Sequence, residues 1–170
     1  VREWREWQHY KDVLAEVADE AVTKLNAQIV FMPMQYPEDV KAAKKIVVKM
    51  KQPACVLKED FTTRELMSLV GNMDLMIGIR LHALIFAGVM GTPMIGISYD
   101  PKIDRFLKSI DEDVVGDLEN VTVEALMQEI NAKWNNKEIY RNQNLKRMAK
   151  LRSLARSNAE MALEFIDKNK

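Results

Sequence analysis

The chain has 170 residues, 48% of them hydrophobic, which is enough for one folded domain with a sizeable core. Twenty-five basic residues balance 25 acidic ones, so no net field favours nucleic acid or an acidic polymer as partner. Cys55 stands alone and cannot form an internal disulfide, and with only His9 and His82 beside it a zinc cluster has too few good ligands. A protein without metal or resident cofactor, in a reducing cytoplasm, is the expectation. No run approaches the roughly 20 apolar residues that span a bilayer, and no secretory signal pattern opens the chain.

In chain order, Val1-Arg2-Glu3-Trp4 reads as the end of a strand, and with no starting methionine the expectation is the carboxyl portion of a longer protein. Val13, Leu14, Val17, Ala18, Ala21, Val22 and Leu25 recur with helical spacing and predict a helix over 10–25. A strand follows over 28–34, ended by Pro33 and Tyr36-Pro37. Pro37, Glu38 and Asp39 then suit the first turn of a helix to about residue 50. Residues 54–57 make a short strand, in which a buried Cys55 acts as a small apolar residue. Thr62-Thr63-Arg64-Glu65 reads as a capping box opening a helix to about residue 70.

The run from Leu75 to Ile79, with Gly78 inside it, is too short for a helix and suits a strand buried on both faces. His82, Ile85, Phe86 and Val89 repeat at helical spacing, and Gly91 and Pro93 stop that helix. Further on come a strand over 93–99, a short helix over 101–107, a small strand over 113–115 and a helix capped by Thr122 over 122–134. From about residue 137 the chain is charged and helical, with apolar positions near Leu145, Met148, Leu151, Ala155, Ala162 and Phe165. The order β-α-β-α-β-α-β-α-β predicts an α/β fold. It is expected as a single Rossmann-like domain over 1–170, a parallel sheet with helices on both faces, ending in a helical tail over 137–170.

Arg80 and His82 fall where a strand ends and the next helix begins, the place at which open α/β sheets hold ligands. Unpaired N–H groups and the helix dipole there favour an anion. Arginine adds a planar, permanently charged fork for phosphate or carboxylate, and histidine can move a proton near neutral pH. Two other readings compete: a salt-bridged arginine at a strand end, and a histidine packed on an apolar helix face. Lys102, after Tyr99-Asp100-Pro101, either reaches the same cleft or is a solvated turn lysine; Asp100 either orients a basic neighbour or starts a turn, and Ser98 is a weaker phosphate-binding candidate. Neither a Gly-x-Gly-x-x-Gly fingerprint nor a P-loop occurs.

Arg80-Leu81-His82 after Ile77-Gly78, then Gly91-Thr92-Pro93 and Gly96-Ile97-Ser98-Tyr99-Asp100-Pro101-Lys102, resemble the polysaccharide pyruvyl transferase family, CsaB type. The match is dense over 74–108. Val1-Arg2 with Trp4 is similar to the family's Val-Arg-Pro-Trp, Glu3 standing in place of proline. The resemblance implies the carboxyl-terminal, donor-binding domain of a two-domain enzyme of GT-B type whose amino-terminal domain is missing here. It implies phosphoenolpyruvate as donor and a ketal on a sugar of a cell-wall or secreted polysaccharide, presented free or lipid-linked. It places the family's arginine and histidine on Arg80 and His82, with Arg2, Lys102 and Ser98 as further substrate contacts, and implies that the isolated chain is inactive.

Two other readings stand beside it. A sugar-nucleotide glycosyltransferase of similar architecture needs a diphosphate cradle and a ribose-binding carboxylate, for which the segment after Tyr99 offers Asp104 or Glu112 without a clear motif. A non-catalytic α/β interaction module is the other. His9 with Trp4, Trp7 and Tyr10 forms either an acceptor-sugar platform or a packing cluster, and the 11 methionines read as core filler. Arg141, Lys146, Arg147, Lys150, Arg152 and Arg156 make the tail basic. This is a solvated face or a peripheral contact with the inner face of an anionic membrane.

Overall fold

The computed structural model describes residues 7–168. Seven helices and five short strands alternate: α1 (His9–Leu25), β1 (Ile29–Phe31), α2 (Glu38–Val47), β2 (Ala54–Val56), α3 (Thr63–Gly71), β3 (Met76–Gly78), α4 (Leu81–Met90), β4 (Met94–Ser98), α5 (Pro101–Ser109), β5 (Val114–Asp117), α6 (Val123–Asn135) and α7 (Lys137–Lys168). The α/β order and the helical tail are those expected from the sequence.

Local chemistry explains the boundaries. Thr62 accepts the Glu65 N–H at 3.4 Å while the Glu65 carboxylate accepts the Thr62 N–H at 2.8 Å, the reciprocal capping box that opens α3. Asp100 and Thr122 cap α5 and α6 through the N–H groups of Lys102 and Ala125. Gly91 ends α4 in the left-handed region, at φ 78°, where a Cβ would be strained.

The strands are parallel but form two groups. β1 pairs with β2, and β3, β4 and β5 form a second sheet in that order, with Gly78 level with Gly96. β4 is buried throughout. It sends Ile95 and Ile97 into a core with Val13 and Val17 of α1, Ile46 of α2, and Leu126 and Ile130 of α6. Met94 joins the other core, with Val70 of α3, Leu84 and Ala87 of α4, Ile103 and Leu107 of α5, and Met148 of α7. Helices therefore cover both faces. A Cβ on Gly78 would lie 2.6 Å from Leu84 Cδ2, so glycine there lets α4 sit close to β3.

Three expectations shift in detail. β3 is half-buried rather than enclosed, because its edge away from β4 has no strand against it among the described residues. Cys55 is exposed, not buried: β2 ends its sheet, and its alternation turns Ala54 and Val56 inward and Cys55 out. His82 is exposed on the first turn of α4, while Ala83, Leu84 and Ala87 take the buried face.

The first half of α7 is bound to the domain. Asn144 Nδ2 donates to the Thr92 carbonyl at 2.9 Å, and Arg147 Nη1 donates to Glu112 Oε1 at 2.7 Å. Glu112 also accepts from Lys133 Nζ at 2.6 Å, and that ammonium donates to the Met94 carbonyl at 2.7 Å. Beyond Leu151 every described residue of the helix is exposed, Arg152 and Arg156 included.

Candidate functional site

Strands β1 and β3 direct their carboxyl ends to the same place. The chain leaves β1 through Pro33 into Met34 and Gln35, whose N–H groups donate to Asp39 Oδ2 at 3.2 and 2.9 Å. It leaves β3 through Ile79 into Arg80, which donates to the same carboxylate: Nε to Oδ2 at 3.2 Å and Nη2 to Oδ1 at 2.7 Å. Arg80 Nη2 also donates to Gln35 Oε1 at 2.9 Å. The pair is largely screened from solvent, Arg80 at 20% and Asp39 at 11% side-chain exposure. A two-point contact fixes the plane of the guanidinium as well as its position.

Arg80 is also the residue before α4, with extended backbone, and makes no side-chain cap to that helix. The first turn of α4 thus presents its N–H groups without a capping oxygen, beside a held guanidinium and an exposed imidazole on His82. The His82 ring lies 6.4 Å from that of Phe86, tilted by 50°. This corner can bind an anion and can exchange a proton with what it binds. It contains a salt-bridged arginine, as one of the two sequence readings had it, and a histidine that faces solvent and not the core.

The register Gly78↔Gly96 places Arg80 and Ser98 at the same level, two residues beyond that rung. Around Ser98 lies a second cluster. Its hydroxyl donates to Asp104 Oδ2 at 2.5 Å, so the serine is already engaged by a carboxylate. Lys102 pairs with Asp100 at 3.2 Å and sits 5.7 Å over the Tyr99 ring. The Asp100 carboxyl is held below its ordinary value, mainly by the Lys102 N–H and then by the Lys102 side chain. A pocket joins Ser98, Tyr99, Asp100 and Asp104 to Trp7 and Asp117. Hydrogen bonds from the Asn120 side chain and the Glu119 and Asn120 N–H groups hold the Asp117 carboxyl low. His9 Nε2 donates to the Val121 carbonyl at 2.8 Å, and Tyr10 is buried. Arg2 and Trp4 lie outside the described residues.

Ser98 and Asp100 thus line one pocket, Lys102 is tied to it only through its pair with Asp100, and Arg80 lines another, with Asp39. Asp39 was missed as a site residue. Its only local signal was an acid in the first turn of a helix, and its contact with Arg80 spans 41 residues of sequence. Among the described residues no group of three or more His, Cys, Asp or Glu side chains comes together to hold a metal, and no helix is long and apolar enough to cross a membrane.

A family model described as polysaccharide pyruvyl transferase matches residues 1–101. The chain belongs to that family. The polysaccharide pyruvyl transferase match takes in Arg2, Asp39, Arg80, His82 and Ser98, and stops one residue short of Lys102. No curated protein and no solved structure matches the chain.

Proposed function

We propose that this member of the polysaccharide pyruvyl transferase family binds phosphoenolpyruvate at the amino end of α4 and passes its pyruvyl group to a sugar as a ketal. The observation that carries the reading is the juxtaposition, within the family match, of an orientated Arg80, an uncapped first helical turn and an exposed His82. Phosphoenolpyruvate has a phosphate and a carboxylate. The open N–H groups of α4 suit one anionic group, and the Arg80 guanidinium, set by Asp39, suits the other. Arg2, Lys102 and Ser98 are proposed as further substrate contacts.

The reaction needs a proton added to the enol methylene and attack by one sugar hydroxyl at the adjacent carbon. A second hydroxyl then displaces phosphate from that carbon, and both hydroxyl protons leave. His82 reaches solvent and ligand alike, and serves as acid or base in one of these transfers, a role worth about 10²- to 10⁴-fold in rate. In this reading the chain is the donor side of a GT-B-type enzyme, and the acceptor side comes from a second domain. The sugar acceptor is a polysaccharide precursor at the cytoplasmic face of the membrane. The test is thermal: phosphoenolpyruvate at millimolar concentration raises the melting temperature, and Arg80→Ala removes the rise. An unchanged melting temperature in the wild-type protein would refute the proposed binding.

A further inference from the structure

The cavity at the carboxyl ends of β4 and β5 differs in kind from the Arg80 corner. It measures about 240 Å³. That is room for a single small ring, below the roughly 300–1,000 Å³ of sites for larger ligands. Half-buried Trp7 and Tyr99 give it aromatic walls, and buried Ser98 with half-buried Asp104 gives it a polar floor.

Its chemistry turns away an anion. Asp100, Asp104, Asp117 and Glu119 all line it, and the Ser98 hydroxyl, the group that could have met a phosphate, gives its proton to Asp104 Oδ2 at 2.5 Å. Two of these carboxylates are occupied on both oxygens. Asp117 accepts from Asn120 Nδ2 at 3.0 Å on each, and Asp100 accepts the Lys102 N–H on Oδ1 and pairs with Lys102 Nζ through Oδ2. Asp104 differs from both. It stands in the first turn of α5, its Oδ2 is fixed by Ser98, and its Oδ1 accepts from none of the described residues.

A carboxylate oxygen locked in place takes hydroxyl donors, and aromatic rings beside it pack on C–H groups. A pyranose offers both, hydroxyls at its edge and C–H groups on its face. The place suits the reaction too. Gly78 lies level with Gly96, so β3 and β4 end one strand spacing apart, about 5 Å. Arg80 and Ser98 each follow two residues later. A ring in the cavity therefore sits next to the corner formed by Arg80 and the first turn of α4.

The geometry points to a subsite for one neutral sugar ring in this cavity, with Asp104 Oδ1 accepting a ring hydroxyl and Trp7 and Tyr99 packing on its C–H face. Ser98 holds Asp104 and does not bind phosphate. The subsite stands on the cavity alone; naming its ring as the one that receives the pyruvyl group rests on the proposed function. The remainder of the acceptor extends toward the second domain.

The test is a nuclear magnetic resonance titration of the 170-residue chain with the methyl glycosides of glucose, galactose and mannose, each up to about 100 mM. At least one glycoside shifts the Trp7 indole N–H and the Ser98 and Asp104 amides saturably. Glucose 6-phosphate binds there at least about tenfold more weakly than that glycoside, and Asp104→Asn, which keeps the side chain's shape, weakens the glycoside about tenfold. Unmoved signals with all the glycosides would overturn the subsite. So would equal binding of the sugar phosphate, or an unchanged affinity in Asp104→Asn whose α4 signals match the wild type. Phosphoenolpyruvate, titrated into the same protein and read at Arg80 and His82, separates the two readings. Sugar shifts without donor shifts support the subsite and refute the proposed donor, and donor shifts without sugar shifts refute the subsite alone.

Discussion

Arg80 and Asp39 meet through two parallel hydrogen bonds, 3.2 Å from Nε and 2.7 Å from Nη2, and this pair ties the end of β3 to the turn after β1. The carboxylate also accepts from Met34 and Gln35, so it organises four donors from two parts of the chain. Removing it leaves two N–H groups without their acceptor and takes the carboxylate from a largely screened guanidinium, which keeps Gln35 Oε1. Asp39→Ala is therefore expected to cost about 2 kcal/mol of stability, discounted for residual exposure. Urea denaturation of Asp39→Ala, Arg80→Ala and the double variant checks this: the double should lose less than the sum of the singles.

The Lys133–Glu112–Arg147 network is largely buried, with Lys133 at 5% and Glu112 at 10% side-chain exposure. Glu112→Ala leaves the Lys133 ammonium buried with the Met94 carbonyl, the face of the Tyr140 ring at 5.2 Å and a distant Glu129, but without its close carboxylate. The expected loss is about 3 kcal/mol. Lys133→Met, which removes the buried charge itself, should cost less than Glu112→Ala, read as a smaller fall in urea midpoint.

His82 bears differently on stability and on activity. Its exposed side chain makes His82→Ala nearly neutral for folding, within about 0.5 kcal/mol. Under the proposed function, pyruvyl transfer should fall by about 10²- to 10⁴-fold. Melting temperature and ketal formation, measured on the same protein, separate the two effects.

Acid should weaken the fold in a defined direction. Asp117, Asp100 and Glu65 have native carboxyl values below the ordinary 3.8 and 4.5, each through hydrogen bonds received from neighbours. A lowered native value means stability that is fully present above the unfolded value and disappears as pH falls through the native one. Melting curves from pH 7 down to pH 2 should show this loss below about pH 4, and Asp117→Asn should make the decline shallower.

Much of this was legible in local pattern. The Thr62–Glu65 capping box, the Gly91 stop and the apolar periodicity of α1 each act within a few residues, so sequence displays them directly, whereas the buried face of α4 proved to be Ala83, Leu84 and Ala87 and not the stripe through His82. The strand-end position of Arg80 and His82 was legible for the same reason. What the sequence withheld was tertiary. Asp39 reaches Arg80 across 41 residues, and no local signal marks that partner. The exposure of Cys55 depends on β2 being an edge, and the gap beside β3 depends on which strands pair. Strand order decides both, and hydropathy does not encode it.

The central claim is tested most directly by the affinity of phosphoenolpyruvate for the wild-type protein, Arg80→Ala and His82→Ala, measured by calorimetry. The account predicts binding to the wild type, loss of at least about tenfold in affinity in Arg80→Ala, as expected on losing a charged hydrogen-bonding group, and near-normal binding in His82→Ala. Equal affinity in the wild type and Arg80→Ala, or no binding to any of the three, would contradict it.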